Sequence, residues 1–383
     1  MDLEKKNTVL ITCGPGLSEY LKAELKELGF KITADHRRGI TIKATGEEVM
    51  MLNLRLRTAY NVLYLLKEFR CKDPDQLYKT INSMPWEEMI SPDEYLSVVS
   101  RVNTPTIDNS MFASMKTKDA IVDRIFEKKG RRPDSGPDRD CLVYNLYWYK
   151  DKCWLYLNTS GQKLSDRGYR KMPYMAPLRE CLAASIVMAT GYDGSVPFVN
   201  PMCGSGTLAI EAALIASNRA GGLLRSNFGF MHELGFDKNR WQQVRKEAQN
   251  LNIKPEMPII ATDISEKAIE CARKNAMTAG VEHLIDFKVC DLMDTDIPDV
   301  GGVAVVNPGY GMRMGDVAEL EGLYGRMGDF LKQKCAGYTG YIFTGNMELA
   351  KKVGLKASRR LIFWNGDIEC RLLKYEIYQG SRE

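Results

Sequence analysis

The sequence predicts an α/β fold, with a doubly wound parallel sheet in the C-terminal half and smaller units of mixed strands and helices before it. Two patterns indicate the sheet. A strand, a glycine turn and a helix follow one another over residues 196–215, and a strand and a helix follow again over residues 259–278. Two more apolar runs of strand length, at residues 285–290 and 302–306, continue the order.

The N-terminal half mixes short strands and helices, which predicts a ferredoxin-like unit over residues 1–69. Its strands are expected at residues 9–12, 39–43 and 62–69, and its helices at 16–28 and 47–56. A second unit, residues 70–160, has predicted helices at 74–84 and 110–129, a strand at 95–101, and a hairpin of strands 141–149 and 152–158. Most aromatic side chains of the hairpin are expected to be core or cross-strand pairs, with stacking on RNA bases as the alternative.

Residues 161–174 are basic, contain glycine and proline, and are predicted to link to a C-terminal domain at residues 175–383. In that domain, residues 219–241 lengthen the first crossover, and we expect them to shape a substrate pocket. Apolar strands at 338–344 and 371–378 are expected to complete the sheet.

The turn after the first strand of this sheet has features of a ligand-binding loop. Gly204 and Gly206 lack the β-carbon that would keep a ligand from the backbone, and the helix behind them directs free amides at a polar or anionic group. A nucleotide-like cofactor is one interpretation, and a turn that only packs a strand against a helix is the other. Asp263 ends the second strand, where a carboxylate can accept both ribose hydroxyls, although an ordinary helix cap fits equally. Asp291 ends the third strand and could accept a hydrogen bond from an adenine amine.

The fourth strand ends in Asn307, Pro308, Gly309, Tyr310 and Gly311 rather than in a general base. The exocyclic amine of a purine is a poor nucleophile, because its lone pair is delocalised into the ring until acceptors hold both hydrogens. The side-chain oxygen of Asn307 and the carbonyl of Pro308 are candidate acceptors, and Tyr310 would stack on the base. The alternative is a loop that merely turns the chain.

Five ordered motifs resemble the bacterial THUMP-domain RNA guanine-N2 methyltransferases, most closely the module that methylates a guanine of large-subunit (23S) ribosomal RNA. The motifs are Arg167-Gly168-Tyr169-Arg170, Ala176-Pro177-Leu178-Arg179-Glu180, residues 200–207, residues 307–311, and Trp364-Asn365-Gly366 with residues 369–373. The resemblance covers essentially the whole chain.

This resemblance implies a ferredoxin-like domain, a THUMP RNA-binding domain, and a class I (Rossmann-like) methyltransferase domain with a seven-stranded sheet that uses S-adenosylmethionine. The residues that it implies for cofactor binding are Asn200, Met202, Cys203, Gly204, Gly206, Thr207, Asp263, Ile264, Asp291 and Leu292. Asn307, Pro308 and Tyr310 would hold the target guanine, which has to be unpaired or flipped out of its helix.

Two positions depart from the family pattern. Asn200 stands where the family has Asp and lacks the charge that would favour the cofactor's ammonium group, so weaker affinity is expected. Gly309 stands where the family has a second proline, and it loosens the loop. A noncatalytic RNA-binding or ribosome assembly factor with this fold is therefore one alternative, and a transfer-RNA guanine-N2 methyltransferase is another. The basic N-terminal half argues against a protein glutamine as the methyl acceptor.

The net charge is only +4, but it is unevenly distributed. Lys and Arg outnumber Asp and Glu by 29 to 24 over residues 1–171 and by 15 to 9 over residues 101–171. Clustered basic residues are expected on a surface that contacts phosphates. The candidate RNA contacts are Lys116, Lys128, Lys129, Arg131, Arg132, Arg167 and Arg170. A solvated helix end is the alternative for the residues near 129, and a structural clamp between domains is the alternative for Arg167.

The ten cysteines lie at least 12 positions apart, and the three histidines are scattered, so no metal site is expected and the cysteines are predicted to be reduced thiols. Cys203 is expected to be a small packing residue. No apolar stretch is long enough to cross a bilayer and no signal pattern is present, so a cytoplasmic location is expected.

Overall fold

The computed structural model describes residues 1–172, 174, 178–308 and 317–377. The chain forms two compact units. The first consists of Met1–Cys13, Leu21–Leu164 and Arg225–Ala248, and the second of Gly14–Tyr20, Ser165–Leu224 and Gln249–Glu383.

The elements of the first 160 residues are, in chain order, β1 (Asn7–Cys13), α1 (Ser18–Glu27), β2 (Ile32–His36), β3 (Gly39–Ala44), α2 (Gly46–Arg55), β4 (Ala59–Arg70), α3 (Pro74–Asn82), β5 (Tyr95–Asn103), α4 (Ser110–Lys129), β6 (Asp134–Ser135), β7 (Leu142–Tyr149) and β8 (Lys152–Asn158). The strands form one sheet in the order β2-β3-β1-β4-β8-β7-β5-β6. Strand β4 pairs antiparallel with β8, with Leu63 opposite Asn158, so both predicted N-terminal units contribute to the same sheet.

Local signals explain why the helices of this unit were predicted well. Helix α2 begins at a capping box, in which the Thr45 hydroxyl accepts from the Glu48 amide and the Glu48 carboxylate accepts from the Thr45 amide. Helix α4 begins after Asn109, whose side chain caps it, and ends at Gly130 in the left-handed conformation. Strands β2 and β6 were not predicted, because both are short and lie at the edges of the sheet, where little of the strand is buried.

The remaining elements are α5 (Glu180–Ala189), β9 (Phe198–Pro201), α6 (Thr207–Ala216), α7 (Lys238–Asn250), β10 (Ile259–Asp263), α8 (Glu266–Ala279), β11 (Ile285–Val289), β12 (Gly302–Val306), α9 (Val317–Lys334), β13 (Tyr338–Thr344), α10 (Met347–Ala350), β14 (Arg359–Asn365) and β15 (Ile368–Glu376). Seven strands form the sheet of the second unit in the order β11-β10-β9-β12-β13-β15-β14. The first five are parallel, and β15 is antiparallel to both of its neighbours. This confirms the predicted doubly wound α/β sheet.

The core of the second unit forms where α9 packs on the central strands. Four fully buried side chains of α9 are Tyr324, Met327, Phe330 and Leu331. They belong to one apolar cluster with Val199 of β9, Ala304 and Val306 of β12, and Ile342 of β13. Burying a large apolar side chain stabilises the fold by about 1.5–3 kcal/mol, so this contact holds the central strands in place.

The crossover after α6 does not stay in one unit, and the role of residues 219–241 in shaping a substrate pocket stays a prediction. Residues 225–248 belong to the first unit, although they come from within the stretch predicted as the C-terminal domain. The last strand ends at Glu376, and Tyr378, which was predicted to belong to it, lies outside the described residues. Within the described ranges, no helix is long and apolar enough to cross a membrane.

Candidate active site

The strand order reverses between β9 and β12, so the candidate site lies at the carboxyl ends of these strands and of β10. The turn from β9 into α6 is tightly folded. Cys203 donates its amide to the Thr262 carbonyl at 2.9 Å, and Gly206 donates its amide to the Cys203 carbonyl at 2.9 Å. Met202 has φ of 55°, which a non-glycine residue rarely adopts. Such backbone strain is concentrated at functional sites.

The two glycines of the turn have different tasks. Gly206 has φ of 80°, and a β-carbon there would lie 2.9 Å from the β-carbon of Ala272 on α8. It therefore serves the packing of the turn against that helix. Gly204 has φ of 57°, and a β-carbon there would meet no atom of the described residues within 4 Å. This open side of Gly204 is where a ligand can approach the backbone.

Asp263 ties the turn to the end of β10. One carboxylate oxygen accepts from the Gly204 amide at 3.0 Å, and the other accepts from the Ser265 amide at 2.9 Å. The side-chain cap of α8 is Ser265, which accepts from the Ala268 amide, so the alternative that Asp263 caps this helix is wrong. Each carboxylate oxygen keeps a second lone pair for ribose hydroxyls. The next residue, Ile264, is an apolar side chain with 72% exposure, the kind of surface that an adenine ring covers.

Asn200 is almost completely buried at the end of β9. Its Nδ2 donates to the Val305 carbonyl of β12 at 2.8 Å, which bridges the two strands where their order reverses. Its Oδ1 is buried and has no hydrogen-bond partner within the described ranges. A buried acceptor without a partner costs about 1–3 kcal/mol, and a ligand that donates to it removes this cost.

Asp291 and Leu292 follow β11, as predicted. Leu292 is buried, and Asp291 caps the short 3₁₀ turn Leu292–Asp294. The Oδ1 atom of Asp291 accepts from Arg326 of α9 and from the Met293 amide. These bonds, the one from Arg326 first, hold the pKa of Asp291 below its ordinary value, so the carboxylate is ionised at neutral pH. The contact with Arg326 was missed, because the sequence carries no signal that joins β11 to α9.

Asn307 and Pro308 follow β12. The Oδ1 atom of Asn307 is buried and has no hydrogen-bond partner in the part of the chain that the structure describes, and Pro308 is buried. The adjacent strands β9 and β12 therefore each have an asparagine at their carboxyl end, Asn200 as the next-to-last residue of β9 and Asn307 directly after β12, and neither side-chain oxygen has a partner among the described residues. Gly309 and Tyr310 lie outside the described residues.

Arg170 contacts the start of α6, directly after the glycine turn, instead of facing solvent. Its Nη1 donates to the Thr207 hydroxyl at 3.2 Å, its Nη2 donates to the Leu178 carbonyl at 2.6 Å, and it forms an ion pair with Glu180. Because these contacts occupy the guanidinium within the second unit, they argue against the predicted RNA contact. Asn275 of α8 has a similar role that sequence reasoning missed, since its Nδ2 donates to the Ser205 carbonyl and its Oδ1 accepts from the Met172 amide.

Arg167 is also a structural residue. It is 1% exposed, and its guanidinium donates to both carboxylate oxygens of Glu211 on α6, at 2.8 and 3.0 Å. Tyr169 donates to the same carboxylate at 3.0 Å. The predicted RNA contact of Arg167 is contradicted by this burial. The clamp that was the alternative is present, but it lies within the second unit, between the linker and α6.

The other predicted RNA contacts lie on or just after α4 in the first unit. Lys116 pairs with Asp75 at 3.2 Å, Arg131 pairs with Asp93, and Arg132 pairs with Asp123 at 2.6 Å. These acidic neighbours offset part of the positive charge. Lys128 and Lys129 lie exposed in the last turn of the helix, where Lys128 makes only a long contact of 3.9 Å with Glu127. They are the members of this group that remain best placed for a phosphate.

Cys203 does not have the properties of a nucleophile. Burial, and secondarily the charge of Asp263, raise the pKa of its thiol far above the ordinary value. The thiol therefore stays protonated, in agreement with a packing role. The site thus consists of buried acceptors, an open glycine backbone and carboxylates, which can bind and orient polar groups.

A comparison with known families gives this geometry its context. The methyltransferase domain of the family described as RMKL-like matches residues 167–374, more than half of the chain. The chain belongs to this methyltransferase family. A RlmL ferredoxin-like domain matches residues 8–63 of this family member, and a THUMP domain matches residues 71–158. The predicted combination of ferredoxin-like, THUMP and methyltransferase domains is confirmed, while the exact boundaries at residues 69, 160 and 174 stay predictions.

Relatives and solved structures agree with the family. The chain is 38% identical over 377 residues to "Ribosomal RNA large subunit methyltransferase K/L" of Syntrophotalea carbinolica, which covers 96% of the chain and 53% of the relative. The chain therefore spans about half the length of the K/L relatives it matches. It is 31% identical to slr0064 of Synechocystis sp., over 96% of both chains. The crystal structure of SMU.472 with S-adenosylhomocysteine (SAH) has 27% identity and a TM-score of 0.86, and covers 99% of this chain and 100% of SMU.472.

Proposed function

We propose that this protein transfers a methyl group from S-adenosylmethionine to the exocyclic N2 amine of a guanine in large-subunit (23S) ribosomal RNA, in the cytoplasm. The observation that carries the proposal is the Oδ1 of Asn307 at the carboxyl end of β12, on the strand beside the Gly204 turn, which is buried and has no partner among the described residues. The K/L relatives support the RNA class, and the THUMP domain supports RNA as the partner.

The residues around the turn fit the cofactor. The Oδ1 of Asn200, which has no partner among the described residues, can accept from an ammonium group. The open backbone of Gly204 can lie against the methionine part, and Asp263 can accept ribose hydroxyls. The exposed side chain of Ile264 offers an apolar face to adenine. When bound, the cofactor supplies an electrophilic methyl group on a sulfonium. SAH bound to SMU.472, a structure of the same fold, supports this assignment.

The chain's own contribution to the reaction is to hold the amine. Oδ1 of Asn307 and the carbonyl of Pro308 can each accept one N–H of the guanine amine, so the nitrogen lone pair is turned toward the methyl donor. Both hydrogen bonds strengthen as positive charge develops on nitrogen, which stabilises the transition state without a general base. The methylated nitrogen then releases one of its two protons to water. Stacking by Tyr310 stays a prediction, because this residue lies outside the described part of the chain.

The test of the site is the variant Asn307→Ala. We expect methyl transfer to fall by about 10²–10³-fold, the usual loss when one preorganised polar contact to the transition state is removed. SAH affinity, measured by calorimetry, should change less than about twofold, since Asn307 is assigned to the base. The matched control is Asn252→Ala, an exposed asparagine in the same unit. Unchanged transfer by Asn307→Ala would overturn the proposal, and lost SAH binding would assign Asn307 to the cofactor.

The test of the substrate uses RNA from a strain that lacks the protein. Purified protein with labelled S-adenosylmethionine should restore one N2-methylguanine in the large-subunit RNA, located by mass mapping of nuclease fragments. Methylation of transfer RNA instead would replace the proposed substrate class. SAH binding without transfer to any RNA would favour a noncatalytic binding or assembly factor.

A further inference from the structure

Three side chains with metal-binding atoms meet in the first unit. They are Glu94, which immediately precedes β5, Cys141, which immediately precedes β7, and His232, the last residue of the 3₁₀ turn Gly229–His232. One ligand atom from each lies within 4.8 Å of the other two, and Nδ1 of His232 is 3.3 Å from Oε1 of Glu94. All three residues are half-buried, so an ion from solvent can reach them.

The fold brings two of the donors together directly. Strands β5 and β7 are parallel neighbours with Leu96 opposite Leu142, so the residues just before them lie at the same edge of the sheet. The third donor, His232, belongs to residues 225–248, which pack on this sheet. Leu234 donates its amide to the Met89 carbonyl at 3.0 Å, and Phe230 donates its amide to the Thr159 carbonyl at 3.2 Å.

Asn227 determines which ring nitrogen of His232 carries the hydrogen. The Nδ2 of Asn227 donates to the Asp140 carbonyl, so its Oδ1 faces Nε2 of His232 at 2.8 Å. Nε2 therefore carries a hydrogen, and in a neutral imidazole Nδ1 presents a lone pair to Glu94 and Cys141. Metal-binding histidines usually donate their other ring nitrogen to an oxygen in this way.

A lone pair that faces a carboxylate at 3.3 Å is repulsive unless a cation lies between them. Either a proton or a metal ion can serve. Zinc bonds to nitrogen, oxygen and sulfur are about 2.0–2.3 Å long, which puts tetrahedral ligands about 3.3–3.8 Å apart. The His232–Glu94 separation already has this value. The other separations reach it with small side-chain adjustments.

We propose that Glu94, Cys141 and His232 form a zinc-binding site, with water in the fourth position. The thiolate and imidazole select zinc over magnesium and calcium, which prefer all-oxygen ligand sets. The bound ion holds residues 225–248 against the amino ends of β5 and β7. The sequence carries no signal of this site, because the donors lie 47 and 91 residues apart along the chain and only the fold brings them together.

The experiment titrates zinc into the full chain after treatment with a chelator, against a chromophoric competitor. We expect one zinc ion per chain and a higher melting temperature with zinc. Cobalt, bound in place of zinc, should give a thiolate-to-metal charge-transfer band. Cys141→Ser should abolish this band, and Cys141→Ser and His232→Gln should each weaken zinc binding by more than about tenfold. The matched controls are Cys290→Ser, a half-buried cysteine of the second unit, and His36→Gln, an exposed histidine of the first unit. Both should bind zinc as the parent does.

A further variant tests the site without changing any of the three metal-coordinating residues. Asn227→Ala keeps all three donors but releases the ring, and we expect zinc affinity to fall about 10–100-fold, as for other residues that orient metal ligands. Circular dichroism shows whether each variant is folded. The proposal is overturned if the folded parent binds no zinc. It is also overturned if the Cys141→Ser and His232→Gln variants bind zinc as tightly as their controls.

Discussion

Two asparagines at the ends of β9 and β12 carry the chemical argument for the site. Asn200 and Asn307 each keep a buried oxygen without a partner in the described ranges. A buried acceptor without a donor lowers the stability of the folded protein, and a ligand or substrate that donates to it removes this loss. Asn200 also has a second task that a carboxylate could not perform, since its Nδ2 donates to the Val305 carbonyl. Asparagine instead of the family's aspartate at position 200 therefore adds a hydrogen bond between β9 and β12.

The variant Asn200→Asp separates these two tasks. It places a carboxylate oxygen against the Val305 carbonyl, and we expect the free energy of unfolding to fall by about 1–3 kcal/mol, the cost of an unsatisfied buried polar group. The added charge should at the same time tighten SAH binding, because the carboxylate attracts the ammonium group. Urea unfolding and calorimetry measure the two effects, with Asn252→Asp as the exposed control. Unchanged stability would contradict the strand contact.

The pH dependence of stability has a residue-scale cause in the first unit. Glu87 accepts from Nε and Nη2 of Arg124, at 2.9 and 2.7 Å, and this ion pair lowers the pKa of Glu87 to about 2 from its ordinary value of 4.5. Its stabilising contribution is therefore present above about pH 4.5 and is lost as the pH falls toward 2.

We expect Glu87→Gln to lower the free energy of unfolding by about 1 kcal/mol at pH 7, a value for a partly exposed ion pair. The difference from the parent should shrink as the pH is lowered below about 4.5. Urea unfolding at several pH values measures this. The neighbouring exposed Glu88→Gln is the control and should show a smaller difference at every pH. A Glu87→Gln difference that does not depend on pH would contradict the ion pair.

At the scale of elements, the linker is held to α6 by the buried pair Arg167 and Glu211. Glu211→Ala leaves the Arg167 charge buried without its partner, and we expect a loss of about 3–5 kcal/mol in the free energy of unfolding. The double variant Arg167→Met with Glu211→Leu should recover part of this loss, because this ion pair then leaves no unpaired charge, although the buried Tyr169 hydroxyl loses its acceptor. Glu270→Ala, which breaks the exposed pair with Lys274, is the control, and its expected loss is much smaller because solvent screens this pair. If Glu211→Ala lowered the free energy of unfolding no more than Glu270→Ala does, the stabilising role of the Arg167–Glu211 pair would be contradicted.

The end of α4 makes an element-scale prediction for RNA binding. Replacing Lys128 and Lys129 together by Gln should weaken RNA binding and lower the slope of log affinity against log salt by about 1–2, since up to two phosphate contacts are lost. Filter binding at several salt concentrations measures the slope. The control is Arg131→Gln with Arg132→Gln, which should have a smaller effect because Asp93 and Asp123 already offset those charges. An equal effect of both pairs would assign the contact to the whole region after α4.

At the scale of the whole molecule, the first unit is discontinuous in sequence, because residues 225–248 leave the methyltransferase half of the chain and pack in this unit. Their aromatic cluster of Phe228, Phe230 and Trp241 is at most 4% exposed. Arg225 anchors the segment by donating to the Ser160 carbonyl at 3.0 Å. A C-terminal domain cut at the boundary predicted from sequence would therefore lose the surface on which this cluster packs.

A fragment of residues 161–383 should bind the dye ANS and aggregate, whereas the full chain should not, because the aromatic cluster becomes exposed. The control is the same fragment with residues 225–248 replaced by a short Gly/Ser linker. The chain ends on either side stay close, since Asn218 donates to the Leu251 carbonyl at 3.0 Å. If the unmodified fragment stays monomeric and binds no dye, residues 225–248 do not need the first unit.

The sequence by itself determined the parts of this protein that depend on neighbours in the chain. The strand, glycine turn and helix at residues 198–216, the caps of α2 and α4, and the polar residues at the ends of β9 to β12 are local patterns, so they could be predicted. The family followed from the order of such motifs. Tertiary structure alone decided which partners the charged groups find: Glu211 for Arg167, Thr207 for Arg170, and Arg326 for Asp291. It also decided that residues 225–248 join the first unit and bring His232 to Glu94 and Cys141. The reason is physical: caps and turns act over a few residues, whereas ion pairs, buried polar contacts and metal ligands depend on distances in space that no spacing along the chain encodes.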